Sequence, residues 1–166
     1  MDNTLIVFAS SHGAVEKCAR ELFRLMEGKV DICNLDRRES LPDLSKYDSI
    51  IIGGSIHYGK VQRVIANFSR KHQDLLTSKH LGLFISCMYS GEKARQQLDS
   101  AYPEVLNQHA AARDYFGGEV DVKKLRFWER IITKQMIENE NLVVKLSRDR
   151  IHQFAKTMKT TYEKKE

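Results

Sequence analysis

Two hydroxyl residues and a glycine stand where an apolar run gives way to a helical pattern near the amino terminus. Ser10, Ser11 and Gly13 follow the run and precede a helix-period segment that starts near Ala14. Hydroxyls, a flexible glycine backbone and the unpaired N–H groups of a helix start can together surround a phosphate. The segment is neither a GxGxxG nor a Walker sequence, which disfavours a pyrophosphate cradle or an ATP-hydrolysis site. The alternative is a plain helix N-cap.

Two later segments repeat this order of residues and add tyrosines. One apolar run leads into Gly53 and then Tyr58, and another leads into Ser86 and then Tyr89. A tyrosine offers a flat apolar face with a polar tip, which suits a ring system that is hydrophobic over most of its area and forms hydrogen bonds at its edge. Each tyrosine could equally be a surface residue. Met88 could fill the core or touch a cofactor.

The three loops require an architecture that brings them together. Three apolar strands that each end in a small, hydroxyl-rich or glycine-rich loop fit an open parallel α/β sheet. In such sheets ligands bind outside the carboxyl ends of the strands. We therefore expect the three loops to converge on one ligand.

Apolar runs alternate with helical patterns along the whole chain. The helical pattern at about 92–108 contains Pro103, which we expect to begin or break a piece of that helix. The patterns predict strands at 4–9, 30–35, 49–54, 81–87 and within 111–119, and helices at about 14–27, 61–72, 92–108 and 148–162. Right-handed crossovers leave strand order 2-1-3-4-5 as the economical topology. The predicted fold class is α/β, a three-layer sandwich with a five-stranded parallel sheet and helices on both faces, in one domain over 1–166.

Composition is that of a single soluble domain. The 166 residues are 42% hydrophobic and 30% charged, and no apolar run approaches the roughly 18 residues of a membrane span. The amino terminus lacks the order of a signal peptide, so we expect a cytoplasmic protein. Three widely spaced cysteines, Cys18, Cys33 and Cys87, are expected to be buried free thiols. The histidines and cysteines show no metal-ligand spacing, so no metal is predicted.

The chain is basic. Its net charge is +5 and its pI is about 9.1, which favours anionic partners. The run from Lys123 to Lys134, with Trp128 at its middle, mixes cations and large apolar residues at helical spacing. That pattern fits either a helix that contacts substrate or membrane, or a core-facing helix with solvated cations. The positive charge is not accompanied by a recognised nucleic-acid-binding motif, so no nucleic acid is expected as a partner.

The motifs FASSHG, IIGGSIHYGK and FISCMYSG carry a family resemblance. Over nearly its whole length the chain resembles the flavodoxin superfamily, and within it the menaquinone-dependent protoporphyrinogen dehydrogenase branch. The resemblance implies FMN as cofactor, with its phosphate on the first loop and its isoalloxazine ring between the second and third loops. Val15 departs from the family, in which a threonine is common. The implied contacts are Ser10, Ser11, His12, Gly13, Ala14 and Val15; Ser55, Ile56, His57, Tyr58 and Gly59; and Cys87, Met88, Tyr89, Ser90 and Gly91.

The same resemblance implies an activity but assigns no catalytic side chain. It implies an oxidoreductase that takes reducing equivalents from protoporphyrinogen IX through FMN to a quinone. Peripheral contact of this cytoplasmic protein with the inner face of the cell membrane stays open as an alternative. The family's long insertion would fall within residues 117–142. Two alternatives stay open: an FMN electron carrier acting with a redox protein, and a non-flavin interaction module on the same fold. Candidate cations for the porphyrinogen carboxylates are Lys60, Arg63, Lys123, Lys124 and Arg126.

Overall fold

The helices and strands alternate along the chain. The computed structural model describes residues 3–10, 13–37, 40–119, 126 and 145–164. Within these residues the strands are β1 (Asn3–Phe8), β2 (Lys29–Asn34), β3 (Ser49–His57), β4 (Lys60–Val61), β5 (His80–Ser86) and β6 (Ala112–Tyr115). The α-helices are α1 (Ala14–Leu25), α2 (Arg63–Lys71), α3 (Gln73–Leu76), α4 (Gly91–Ala101), α5 (Glu104–His109) and α6 (Arg148–Glu163), and a short 3-10 helix spans Leu44–Lys46.

One sheet organises these elements. Its order is β2-β1-β3-β5-β6 and all four of these pairings are parallel. The observed β5 and β6 are the fourth and fifth strands predicted from the sequence, so the predicted flavodoxin-like order is confirmed. The short strand β4 was not predicted, and it pairs antiparallel with the end of β3.

Helices cover both faces of the sheet, which makes three layers. Leu5 and Ile50 pack in a core cluster with residues of α2, α3, α4 and α5. Ile6 and Ile51, one position further along the same strands, pack in a second cluster with residues of α1 and α6. Because successive side chains of a strand lie on opposite faces, a strand covered on both sides must be apolar throughout. This explains the uninterrupted run of isoleucines in β3.

Several predicted boundaries differ from the structure. The helix predicted at 61–72 begins only at Arg63, because Lys60 and Val61 form β4. β3 continues to His57 instead of ending at residue 54, because β4 pairs with its last residues. The predicted helix 92–108 is two helices, since Pro103 is the N-cap of α5 and has no N–H to continue α4. The first helix ends at Leu25 and Met26 is already extended.

Two further observations concern the cysteines and the lengths of the helices. Cys18, Cys33 and Cys87 are all buried thiols. In the described part of the chain, no helix is both long and apolar enough to cross a membrane.

Candidate functional site

The three predicted loops lie at one edge of the sheet. β1, β3 and β5 run parallel, and the first loop, the β3–β4 hairpin and the third loop each follow the carboxyl end of one of them. Chain order reverses between β1 and β3, because β2 lies on one side of β1 and β3 on the other. Ligands of open α/β sheets bind at such a switch point.

The first loop forms the start of α1. The Ser10 hydroxyl oxygen accepts hydrogen bonds from the backbone N–H of Gly13 at 3.0 Å and of Glu16 at 3.4 Å. Gly13 has a φ of +88°, which strains any other residue. Among the described residues no acceptor is bonded to the amides of Ala14 and Val15. Serine capping and anion binding are compatible, because the Ser10 hydroxyl takes up the amides of Gly13 and Glu16 and not those of Ala14 and Val15. Ser11 and His12 lie outside the described residues.

Val15 occupies the position where a threonine was expected. Its side chain is 1% exposed and packs in the core cluster that contains Ile6 and Phe8. The side chain at this position therefore packs in the core and offers no hydroxyl to a ligand. Val15 can serve a ligand through its backbone amide only.

The second loop is a β-hairpin. Ile56 pairs with Val61 and His57 pairs with Lys60, which leaves Tyr58 and Gly59 as the two turn residues. Their φ angles are +50° and +75°, as a type I′ turn requires at both central positions. Tyr58 is fully exposed. A tyrosine in the left-handed region costs about 1–3 kcal/mol, and such strain concentrates at functional sites.

The third loop, which follows β5, packs against the hydrophobic core. Cys87 is 2% exposed, and burial raises the pKa of its thiol. Its Sγ lies 3.5 Å from the carbonyl oxygen of Tyr89 and donates to it. Gly118 lies beneath the loop, where an added Cβ would come within 3.1 Å of the Met88 side chain. The Cys87 side chain thus belongs to the core rather than to the loop surface.

Side chains from other elements hold the third loop from outside. The ammonium of Lys93 lies 3.7 Å from the centroid of the Tyr89 ring. The Tyr115 hydroxyl accepts hydrogen bonds from the Gly91 backbone N–H at 3.2 Å and from Arg150 Nη2 at 2.8 Å. Arg150 also covers the Tyr115 ring at 4.0 Å. The loop is therefore fixed by α4, β6 and α6 together.

Sequence reasoning missed three of these partners. Lys93 and Arg150 each lie in a helical pattern, where a cation usually marks a solvated face. Tyr115 lies in a short strand without a loop motif. A fourth missed residue is Gln62, whose side-chain amide joins Ala9 to Ser55. These roles depend on contacts between distant segments, so no local pattern indicates them.

The candidate carboxylate-binding cations fall into two groups. Lys60 and Arg63 are exposed and flank the end of the hairpin. Lys123 and Lys124 lie outside the described residues, as do Trp128 and Lys134 of the same run, and Arg126 is exposed.

A shallow groove of about 400 Å³ lies between α1 and α6. It is lined by cations that include Arg20 and Arg148, but the carboxylates of Glu21 and Glu119 line it too. Glu119 forms an ion pair with Lys17 at 2.6 Å. The groove lies on a helical face of the sheet and includes none of the predicted site residues.

Strand order, switch point and the placement of the three loops define an open, doubly wound α/β protein whose candidate site lies at the carboxyl edge of its sheet. A family model described as "Flavodoxin domain" matches residues 5–141, and the chain belongs to this family. Flavodoxin-like proteins of this strand order bind FMN at the switch point between β1 and β3. FMN, predicted from the sequence, is therefore confirmed as the cofactor of the family. The individual contact residues stay predictions.

Individual relatives agree with the family. The protoporphyrinogen IX dehydrogenase [quinone] of Escherichia coli is 32% identical over 78 residues, which are 45% of this chain and 42% of that protein. The match thus spans less than half of the relative's length. Oxidised flavodoxin 1 of Bacillus cereus is 17% identical with a TM-score of 0.59, covering 96% of this chain and 98% of that one. A flavodoxin variant of Fusobacterium nucleatum bound to flavin mononucleotide is 13% identical with a TM-score of 0.57, covering 97% of each chain.

Proposed function

We propose that this redox flavoprotein is an FMN-dependent oxidoreductase that dehydrogenates a porphyrinogen and passes the reducing equivalents to a quinone. The observation that carries the proposal is the convergence of three loops at the β1/β3 switch point, two of which bear a tyrosine. The dehydrogenase similarity supports the reaction, because it is a sequence match to a protein of that activity. Quinones dissolve in membranes, so the protein would act at the inner face of the cell membrane.

The proposed cofactor site uses backbone donors at one end and aromatic rings at the other. The phosphate would accept hydrogen bonds from the amides of Ala14 and Val15 at the positive end of α1. The isoalloxazine ring would lie between Tyr58 and Tyr89, whose faces exclude water from it. FMN supplies the redox chemistry when bound, so the protein needs to position it and admit the substrate.

The proposed substrate contacts are cations beside the ring-binding loops. Lys60 and Arg63 follow the turn that presents Tyr58, and Lys93 lies on the ring of Tyr89. Helix α4, which carries Lys93, lies against β4, which carries Lys60. Porphyrinogen carboxylates near these groups would form charge-assisted hydrogen bonds. The net charge of +5 would favour the approach of such an anion.

Anaerobic mixing of the FMN-loaded protein with protoporphyrinogen tests the reaction. Each turn removes two electrons and two protons from the porphyrinogen and converts a quinone to its quinol. The proposal predicts that the flavin absorbance bleaches on addition of porphyrinogen, and that a soluble menaquinone analogue restores it while porphyrin fluorescence grows. Flavin that stays oxidised in the presence of porphyrinogen would contradict the proposal.

A second candidate is an FMN electron carrier that serves a protein partner. It is favoured by the overlay on Bacillus cereus flavodoxin 1, which covers nearly the full length of both chains. A carrier would exchange electrons with a redox protein but leave porphyrinogen unoxidised. The anaerobic experiment, repeated with a reductase in place of porphyrinogen, separates the two functions.

A further inference from the structure

The hydrogen-bond ladder between β1 and β3 stops one step short of the candidate site. Its last register pair is Phe8 with Gly53. The Phe8 carbonyl accepts from the Leu35 N–H at 2.8 Å on the β2 side, so the next carbonyl, that of Ala9, faces β3. In a regular parallel ladder the next bond would join the Ser55 N–H to the Ala9 carbonyl.

The side-chain amide of Gln62 takes the place of that bond. The Ser55 N–H donates to Gln62 Oε1 at 2.7 Å, and Gln62 Nε2 donates to the Ala9 carbonyl at 3.0 Å. A primary amide has the donor and the acceptor of a peptide group, so it can bridge two strands that lie too far apart to bond directly. Gly54 leaves room for this bridge, because an added Cβ would lie 3.3 Å from Gln62 Oε1 and still closer to Val61.

The bridge lies where two parts of the candidate site meet. Ala9 directly precedes Ser10 of the first loop, and Ser55 is the first residue of the second. The backbone of Gln62 is itself anchored, since its carbonyl accepts from the N–H of Ile65 at 3.0 Å and of Ala66 at 3.1 Å. A fixed side chain therefore sets the separation of the two loops at the switch point.

We propose that Gln62 is a positioning residue that holds the first loop and the Tyr58 hairpin at the spacing required by a ligand that engages both. The proposal rests on the FMN site of the proposed function, but not on its substrate. Loss of the bridge would then penalise FMN, which has a ring and a phosphate, far more than riboflavin, which has the ring alone. A role in stability alone would weaken both ligands by the same factor.

The variant Gln62→Met tests this, because methionine has a similar length and fills the same space without bridging. Titrations of flavin fluorescence, run well below the melting temperature, should show FMN affinity reduced by about 10- to 100-fold and riboflavin affinity by less than about 3-fold. The matched control is Gln96→Met, an exposed glutamine of α4 with one 3.5 Å contact to Glu92, which should leave both affinities unchanged. Unchanged FMN affinity in Gln62→Met, or an equal loss for both ligands, would overturn the proposal.

Amide hydrogen exchange provides a second measurement that needs no flavin. In the wild-type protein the Ser55 N–H should exchange slowly because it donates a hydrogen bond to Gln62 Oε1. In Gln62→Met the same amide should exchange at least about 10-fold faster. Equal protection of Ser55 in both proteins would show that the bridge does not hold the strands, and would overturn the proposal. Neither measurement involves porphyrinogen, so failure of the dehydrogenase reaction would leave both results standing. Wild-type protein that binds no FMN would refute the cofactor site, and exchange at Ser55 would still decide on the bridge.

Discussion

The hairpin that carries Tyr58 and the loop that carries Tyr89 hold similar side chains in opposite ways. Tyr58 is fully exposed on a strained two-residue turn. Tyr89 is half-buried beneath the ammonium of Lys93, and Tyr115 fixes its loop through the Gly91 amide. The hairpin is joined to the first loop through the side chain of Gln62.

This difference indicates a division of work between the two loops. A prearranged side chain loses little conformational entropy when a ligand arrives, whereas an exposed one loses more. Under the proposed function, the third loop would serve as a preformed wall of the FMN site. The hairpin would supply a ring whose packing the ligand completes, and its backbone strain is consistent with a conformation kept for binding rather than for stability.

The largest effect should come from the first loop, on which both ring-binding loops depend for their ligand. Replacing Gly13 by valine forces a β-branched residue to a φ of +88° at the start of α1. The amides of Ala14 and Val15 would then be displaced, and FMN affinity should fall by about 100-fold or more. Flavin titration and thermal unfolding of the same sample check this.

Gly28→Val is the matched control for that variant. Gly28 has a φ of +77° between α1 and β2, away from the three loops. Both variants should lose about 1–2 kcal/mol of stability, but Gly28→Val should bind FMN normally. Normal FMN binding by Gly13→Val would make Gly13 a turn residue only.

The second prediction concerns the contacts of Tyr115 that hold the third loop. Tyr115→Phe removes the acceptor of the Gly91 amide and of Arg150, which should cost about 1–2 kcal/mol of stability and weaken FMN about 10-fold. Tyr47→Phe is the control, since that half-buried hydroxyl donates to Asp31 at 2.8 Å, far from the loops. It should lose similar stability in urea unfolding and keep its FMN affinity. If both variants bind FMN equally well, the third loop does not depend on Tyr115.

The third prediction concerns the hairpin. Tyr58→Gly relieves the strain at a φ of +50°, so the apoprotein should be more stable by about 0.5–1 kcal/mol. The same variant loses an aromatic contact, and FMN affinity should fall by about 3- to 10-fold. Tyr58→Phe keeps the ring and should bind within about 2-fold of wild type. A Tyr58→Gly protein with full affinity would make the tyrosine a surface residue.

The fourth prediction has the smallest effect. Lys93→Met removes the cation above Tyr89, and an exposed contact of this kind contributes about 0.5–1 kcal/mol. FMN affinity should change by about 2- to 3-fold, and the change should shrink as salt is raised. Arg95→Met alters the net charge equally on the same helix and should leave affinity unchanged. An equal response of the two variants would show that only net charge matters.

The sequence predicted the parts of this molecule that local pattern determines. Apolar runs such as Ile50 to Ile52 mark buried strands, and right-handed crossovers then limit their order, so the sheet topology was predicted correctly. The break at Pro103 was expected because proline has no N–H to continue a helix. The extension of β3 to His57 was missed, because its partner β4 has only two residues and no periodicity of its own.

Local sequence patterns did not reveal the residues that hold the candidate site in place. Gln62 looks like an ordinary polar residue before a helix, and its role appears only when β1 and β3 lie side by side. Tyr115 accepts from Gly91 across a separation of 24 residues, and Arg150 donates to Tyr115 across 35. Sequence motifs therefore indicated which loops are candidates for binding, while long-range packing decides how firmly each is held.

Mapping FMN on the folded protein by amide chemical shifts tests the central claim most directly. On titration of the isotope-labelled apoprotein, the account predicts shifts concentrated at Gly13 to Val15, at Ser55 to Gly59 and at Met88 to Gly91, with FAD binding more weakly than FMN. The claim would be contradicted by an absence of FMN binding, by equal affinity for FAD, or by shifts concentrated at Arg20 and Arg148 in the groove between α1 and α6.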